Sequence, residues 1–187
     1  MKTKILTRYV AAMALLFGAA VSPATAQESP SYFDILAPDE VRLAESFGDA
    51  EDVNQFALVF HSRGSRRLHA SRMELALGSF STPTDERFFL SYGPVWRLPE
   101  RWLPVARDRV FVDLGFAPTY VAGSNLNGRD IGGNFHFTSS LGVGAFLDKN
   151  RNIELALRVQ HTSNGGLADT NPGLDMIGLS FTYRPRR

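Results

Sequence analysis

The 187-residue chain carries 20 Lys and Arg against 19 Asp and Glu, so no bulk charge points to nucleic acid or to an acidic substrate as a partner. It contains no cysteine, which excludes a fold held together by disulfides. Fourteen Phe, five Tyr and two Trp accompany sixteen Gly, a composition more typical of strands and turns than of helices.

The N-terminal residues have the features of an export signal. Basic side chains precede an apolar run over 9–21, and Ala24, Thr25 and Ala26 form an A-x-A cleavage site. The run is shorter than the roughly 20 apolar residues that a membrane-spanning helix needs. We therefore expect residues 1–26 to be a signal peptide and residues 27–187 to be a single domain.

Eight stretches of the mature chain alternate apolar residues with small or polar ones, which is the period of a strand between two environments. The first is the weakest, because Glu45 interrupts its apolar parity. The stretches are 41–47, 54–61, 68–80, 87–98, 110–121, 135–147, 153–163 and 173–183. A water-soluble sandwich with one buried face would show the same alternation.

Two observations favour a barrel in a membrane over the sandwich. The number of stretches is even and their length of about 10 residues suits tilted membrane strands. In addition, the polar parity holds charges that are expected to pair in a narrow lumen, namely Arg72, Glu74, Glu154 and Arg158. The sequence thus predicts an all-β fold, an eight-stranded antiparallel transmembrane β-barrel whose interior is filled by side chains and is not a pore.

The last two stretches place polar residues on an otherwise aliphatic face. In 153–163 the outward parity runs through leucine and valine to His161 and Ser163. In 173–183 the same parity begins at Asp175. Polar groups facing lipid are costly unless they have partners or a function.

An antiparallel register brings these residues together. If Leu157 lies opposite Leu179, then His161 lies opposite Asp175, and Ser163 follows on the same face roughly 6.6 Å along the strand. A carboxylate, an imidazole and a hydroxyl are the parts of an activated serine nucleophile. Three following groups are candidates to hydrogen-bond an oxyanion: Asn164 and the backbone amides of Gly165 and Gly166. The alternative is a polar strand end that runs into a turn.

The segment HTSNGGL over 161–167, preceded by Arg158 and followed by Asp175 on a final aromatic strand, resembles the outer-membrane lipid A 3-O-deacylases of the PagL family. The resemblance implies an eight-stranded barrel with an outward-facing triad that removes the acyl chain at position 3 of lipid A. It assigns the histidine to His161, the nucleophile to Ser163, the acid to Asp175, and to Asn164 the family's asparagine beside the serine. Glutamate is usual at the acid position, and the shorter aspartate needs a closer backbone.

The function that follows is a serine esterase of the outer membrane acting on lipid A in lipopolysaccharide, with no metal or organic cofactor. A phospholipase or acyltransferase using the same triad is one alternative, and a non-catalytic structural or adhesive barrel is another. The scattered His61, His69 and His136 have no ligand-like spacing. The sequence does not determine whether the protein forms a homodimer. The connection over 97–109 is longer than the usual short turn of such barrels.

Overall fold

The fold is described here from a computed structural model, which covers residues 38–47, 52–103 and 109–184. The export signal expected over 1–26 lies outside these residues. One compact unit is formed by Asp39–Arg187. Among the described residues, no helix has the length and apolar character to cross a membrane.

Eight strands close into an antiparallel barrel in the order β1-β10-β9-β8-β5-β4-β3-β2. The barrel strands are β1 (Glu40–Ser46), β2 (Asn54–Arg63), β3 (Arg72–Ser81), β4 (Glu86–Arg97), β5 (Val110–Val121), β8 (Phe135–Phe146), β9 (Ile153–Ser163) and β10 (Leu174–Tyr183). Two short strands, β6 (Asn125–Leu126) and β7 (Arg129–Asp130), pair as a separate ribbon between β5 and β8. The predicted eight-stranded barrel is confirmed.

The two rims of this barrel differ in what they carry. At one rim, here called the loop end, lie the connections over 47–53, 82–85, 122–134 and 164–173. The opposite rim, here called the terminal end, carries the start of β1, the finish of β10 and the connections over 64–71, 98–109 and 147–152. The long connection after β4 contains a short 3-10 helix, Glu100–Trp102, which accounts for part of its length.

The largest difference from the predicted strand boundaries is in the third strand, and the other boundaries differ by at most two residues. The third strand begins at Arg72 and not at 68, because 64–71 folds back as a loop. Within that loop the Ala70 amide donates to the Ser65 carbonyl at 3.1 Å. The Trp96 indole N–H donates to the Leu68 carbonyl at 2.9 Å and ties the loop to β4. These bonds satisfy backbone groups that would otherwise extend the ladder.

The alternation along each strand separates an aliphatic exterior from a polar interior. In β9 the outward Leu157 is 52% exposed, whereas its inward neighbour Arg158 is 3% exposed. A water-soluble sandwich buries its apolar faces, so apolar side chains on the outside and charges within are the reverse of that arrangement. The sandwich alternative is therefore wrong.

Charged side chains fill the interior near the terminal end. Arg42 binds Glu40 at 2.7 Å and Glu74 at 3.0 Å, across the first and third strands. The Arg158 guanidinium donates to the Ser140 hydroxyl at 3.1 Å. Buried charges need partners of this kind, because an isolated charge in a low dielectric is strongly unfavourable.

A second group of interior charges surrounds Asp113 on β5. Its carboxylate accepts from Arg72 at 2.7 Å and from Arg97 at 2.8 Å. Arg97 also reaches Glu154 at 2.9 Å. The expectation that Arg72, Glu74, Glu154 and Arg158 form ion pairs in the lumen is confirmed, with Arg158 3.9 Å from Glu40, and the structure adds the partners that the sequence did not name.

Candidate active site

The pairing of β9 with β10 follows the register expected from the sequence. Leu157 lies opposite Leu179, Val159 lies opposite Ile177, and His161 lies opposite Asp175. Because every opposite pair in an antiparallel sheet shares one face, the last of these pairs lies on the same outer wall as the aliphatic pairs. The pair sits near the loop end.

The side chains of His161 and Asp175 form a hydrogen-bonded pair. Nδ1 of the ring is 2.8 Å from Oδ1 of the carboxylate, and each side chain is 50% exposed. An ionised carboxylate only accepts hydrogen bonds, so the proton of a neutral ring lies on Nδ1. Nε2 then carries the free lone pair, which is the tautomer that a general base requires.

Ser163 is the last residue of β9 and lies on the same outer wall as His161. Its neighbour across the ladder is Phe137 of β8. Among the residues that the structure describes, no hydrogen bond joins the Ser163 hydroxyl to His161. Such bonds are often long in enzymes without substrate and tighten when the substrate binds. The missing hydrogen bond therefore does not exclude Ser163 from the site.

Gly173 fixes how closely the last loop approaches the imidazole. Its φ of 67° lies in the left-handed region that glycine adopts most readily. A Cβ at this position would lie 3.0 Å from Cε1 of His161. A larger residue would press on the ring, so glycine here allows the loop over 164–173 to run against the histidine.

Asn164 follows the serine but turns into the protein. Its side chain is fully buried, with Nδ2 donating to the Gly132 carbonyl at 2.9 Å and to the Thr170 carbonyl at 2.6 Å. Its Oδ1 accepts the Gly166 amide at 2.8 Å. Both amide protons of Asn164 and the Gly166 N–H, which the sequence analysis assigned to an oxyanion, thus have other partners in this structure.

The arrangement around Asn164 joins two loops of the loop end. A Cβ on Gly132 would lie 2.1 Å from Nδ2 of Asn164, so only glycine lets the loop over 122–134 come this close. Asn171 accepts the Asn164 backbone amide at 3.0 Å. Sequence reasoning missed Gly132, Thr170 and Asn171, because their contacts depend on loop conformations and have no periodic signal.

An aromatic surface borders Ser163 on the other side. Phe137 stacks on Phe116 with ring centroids 5.8 Å apart and meets Phe135 edge to face at 5.3 Å. A Cβ on Gly165 would lie 3.2 Å from the Phe137 ring. The serine therefore lies between a polar histidine pair and an exposed apolar patch, which is a suitable surface for a hydrocarbon chain.

Side chains with the geometry to hold a metal ion occur elsewhere in the described part of the chain. Glu40, His61 and Glu74 offer ligand atoms that all lie within 4.8 Å of one another. They line the interior near the terminal end, whereas His161, Ser163 and Asp175 lie on the outer wall near the loop end.

Comparisons with known proteins agree with the barrel fold. The family model described as lipid A 3-O-deacylase (PagL) matches residues 68–184. The lipid A deacylase PagL of Bordetella bronchiseptica is 32% identical over 98 residues, which cover 50% of this chain and 53% of that protein, so the matched segment spans about half of the relative's length. A solved structure described as the outer membrane enzyme PagL aligns with a TM-score of 0.56 at 20% identity, over 79% of this chain and 99% of that chain. At that identity, the structural match supports the fold alone.

Proposed function

This chain belongs to the PagL family of lipid A 3-O-deacylases, whose model matches well over half of it, and on that premise we propose that it hydrolyses the ester at position 3 of lipid A. Ser163 is the nucleophile, His161 the general base and acid, and Asp175 the group that orients the imidazole. The reaction is a serine-esterase hydrolysis that needs no metal or organic cofactor.

The observation that carries the proposal is a polar pair on an apolar wall. His161 and Asp175 are hydrogen-bonded at 2.8 Å where the strands otherwise present leucine, isoleucine and valine. A half-exposed polar pair does not contribute to packing inside the barrel, and exposing it to lipid is energetically unfavourable. Chemistry on a lipid substrate gives these residues a reason to be there.

The steps follow from serine-esterase chemistry. Nε2 of His161 takes the proton of the Ser163 hydroxyl while Oγ attacks the ester carbonyl carbon and forms a tetrahedral oxyanion. When the oxyanion collapses, the bond to the sugar oxygen breaks, and His161 returns the proton to that oxygen. A water molecule, deprotonated by His161, then attacks the acyl carbon, the bond to Oγ of Ser163 breaks, and His161 returns the proton to Oγ as the fatty acid leaves. Asp175 stabilises the imidazolium in both halves.

The oxyanion requires donors near Ser163. Of the groups considered from the sequence, the Gly165 amide has no hydrogen bond among the described residues and is therefore available for this task. Asn164 acts in this proposal as a positioning residue, since its bonds to Gly132 and Thr170 hold the turn that begins directly after the serine.

The setting that we propose is the outer membrane. The exposed aliphatic residues of the strands form the lipid-facing belt, and residues 1–26 serve as the export signal. In barrels of this kind, whose number of strands is even, both chain ends lie on the periplasmic side. The loop end, with His161 and Ser163, would then reach the outer leaflet, where lipopolysaccharide resides.

Mass spectrometry of lipid A from cells that express the chain tests the proposal. Expression should lower the mass of lipid A by one 3-hydroxyacyl group, with release of the matching free fatty acid, and Ser163→Ala should abolish both changes. Ser62→Ala, which alters an exposed serine of β2 near the terminal end, is a matched control and should leave the product unchanged.

Two outcomes would replace the proposal by its rivals. Fatty acid released from purified glycerophospholipid, with lipid A left intact, would identify a phospholipase or acyltransferase that uses the same residues. Unaltered lipid A and phospholipid, despite a folded barrel in the membrane, would identify a structural or adhesive protein.

A further inference from the structure

Three ligand-type side chains meet inside the barrel, far from the outer-wall site. Glu40 of β1, His61 of β2 and Glu74 of β3 come from three adjacent strands near the terminal end. Their side chains are 1%, 4% and 12% exposed. In the sequence they are far apart, and the closed sheet brings them together.

His61 presents an unpartnered nitrogen to the two carboxylates. Its Nε2 is buried without a hydrogen-bond partner, and it lies 3.6 Å from Oε2 of Glu40 and 3.6 Å from Oε2 of Glu74. An N–H···O hydrogen bond spans about 2.7–3.2 Å, so these gaps are too long for one. A buried nitrogen equidistant from two carboxylate oxygens is the arrangement of ligands around a shared cation.

The spacing suits a small divalent ion. Zinc binds histidine nitrogen and carboxylate oxygen at about 2.0–2.2 Å, so one ion reaches two atoms that are up to roughly 4 Å apart. Both 3.6 Å separations fall within that reach, and all three ligand atoms lie within 4.8 Å of one another. Small rotations of the carboxylates complete the triangle.

Each ligand is also held from behind. Nδ1 of His61 is 2.6 Å from Oδ1 of Asp39, which sets the ring so that Nε2 carries the lone pair. Arg42 holds both carboxylates, and the Thr182 hydroxyl donates to Oε2 of Glu40 at 3.2 Å. A carboxylate behind a metal-binding histidine and hydrogen bonds to the ligating carboxylates are the usual outer partners of metal sites.

The charges around His61 leave room for a cation. Three carboxylates face the ring, from Asp39, Glu40 and Glu74. Two guanidiniums oppose them, from Arg42 and from Arg158, the latter 3.9 Å from Glu40. Arg72 also acts on His61, but it is paired with Asp113 at 2.7 Å, so with a neutral imidazole the three carboxylates exceed the guanidiniums paired with them by one, which favours a bound cation.

We propose that Glu40, His61 and Glu74 bind a divalent transition-metal ion of the zinc type. One imidazole and two carboxylates match the ligand preferences of zinc, and a water or hydroxide completes four-coordination. The ion joins β1, β2 and β3 next to the seam where β1 pairs with β10. Its role is structural, since it lies inside the barrel near the terminal end and the proposed esterase site lies on the outer wall near the loop end.

Titration of Zn²⁺ into the chelator-treated full-length protein in detergent micelles, followed by calorimetry, tests the site. We expect one ion per chain, and at least 100-fold weaker binding for His61→Gln. At an ion concentration 100 times Kd, the folded-to-unfolded ratio of the wild type should rise about 100-fold. Co²⁺ in place of Zn²⁺ should give a visible absorption band that His61→Gln lacks.

Two further variants keep the test decisive. His69→Gln removes an exposed histidine of the adjacent loop and should bind Zn²⁺ like the wild type. If His61→Gln does not fold, Glu74→Gln, which keeps an oxygen for Arg42, should bind at least tenfold more weakly. The proposal would be overturned by absence of stoichiometric binding or by binding that survives both His61→Gln and Glu74→Gln. It would also be overturned by a stability that responds to pH but not to Zn²⁺, because the cation bound at His61 would then be a proton.

Discussion

Two histidine–aspartate pairs in this barrel have the same hydrogen bond and different surroundings. His61 and Asp39 meet through Nδ1 and Oδ1 at 2.6 Å inside the wall, near the terminal end. His161 and Asp175 meet through the same atoms at 2.8 Å outside the wall, near the loop end. The inner ring is nearly enclosed, whereas the outer ring is half exposed.

The difference lies in what the second ring nitrogen can reach. Inside, Nε2 of His61 has two carboxylates at 3.6 Å, and a lone pair beside carboxylates suits a cation. Outside, Nε2 of His161 shares its wall with a hydroxyl, at Ser163, and a lone pair near a hydroxyl suits proton transfer. A histidine–aspartate pair is therefore a general way to fix an imidazole, and the neighbours of Nε2 determine its use.

Breaking the outer pair should have the largest effect. In Asp175→Asn an amide replaces the carboxylate, so the imidazole loses its tautomer and the imidazolium its counter-charge, and the deacylation rate should fall about 10⁴-fold. The deacylation rate of Asp175→Glu should stay within about tenfold of the wild-type rate, because glutamate keeps the negative charge at the same strand position. Rates of fatty-acid release from lipid A in micelles measure both. An unaffected Asp175→Asn would show that this pair has no catalytic role.

Asp113 belongs to neither histidine–aspartate pair, so replacing this interior carboxylate separates an effect on stability from an effect on the deacylation rate. Asp113→Asn removes the negative charge that Arg72 and Arg97 share, and the free energy of unfolding should fall by about 3–5 kcal/mol. Deacylation per folded molecule should not change. Asp169→Asn, at an exposed acid of the loop end, should shift stability by less than about 0.5 kcal/mol. Urea unfolding followed by Trp fluorescence measures the difference.

Replacing Asn164 should affect both stability and deacylation, because its side chain is buried and it is adjacent to the nucleophile. Asn164→Ala removes the partners of the Gly132 and Thr170 carbonyls, and it should lower the free energy of unfolding by roughly 2–3 kcal/mol. Deacylation per folded molecule should also fall, since the turn after Ser163 loses its support. Asn150→Ala, at an exposed asparagine of the terminal end, is the control. Protease cleavage within 164–173 should accelerate in Asn164→Ala alone.

Breaking the inner pair should have the smallest effect. Asp39→Asn weakens the support behind His61 without removing a ligand, so Zn²⁺ affinity should fall roughly 10-fold to 100-fold. The rate of lipid A deacylation should be unchanged, because the two pairs lie near opposite rims. A lower deacylation rate in folded Asp39→Asn would show that the ends of the barrel are coupled, contrary to the separation described above.

Much of the fold could be predicted because it depends on a period of two. Once Leu157 and Arg158 are assigned to opposite faces, the whole of β9 follows, and the same parity in β10 sets the register that joins His161 to Asp175. Eight such stretches are sufficient to predict a closed barrel. This part of the site is readable because it lies within strands.

The contacts that could not be predicted from the sequence join loops or non-adjacent parts of the chain and leave no periodic pattern in it. The Asn164 side chain reaches Gly132 and Thr170 through two loops whose conformations include positive φ values, so the sequence suggested an oxyanion role where the structure has a link between loops. The inner histidine was overlooked for a related reason. His61 meets Glu40 and Glu74 only after three strands have paired, and their spacing along the chain resembles no metal motif.

The proposed site lies on the outer wall of the barrel, so in the described part of the chain a substrate reaches it from the side and not through a channel. In the proposed membrane setting, lipid A reaches Ser163 by lateral diffusion along the bilayer, and the released fatty acid leaves in the same plane. The rate then depends on the number of lipid A molecules per unit area of membrane and not on their concentration in solution. Adding inert detergent at constant total lipid A should therefore slow the enzyme, as a two-dimensional dilution of its substrate.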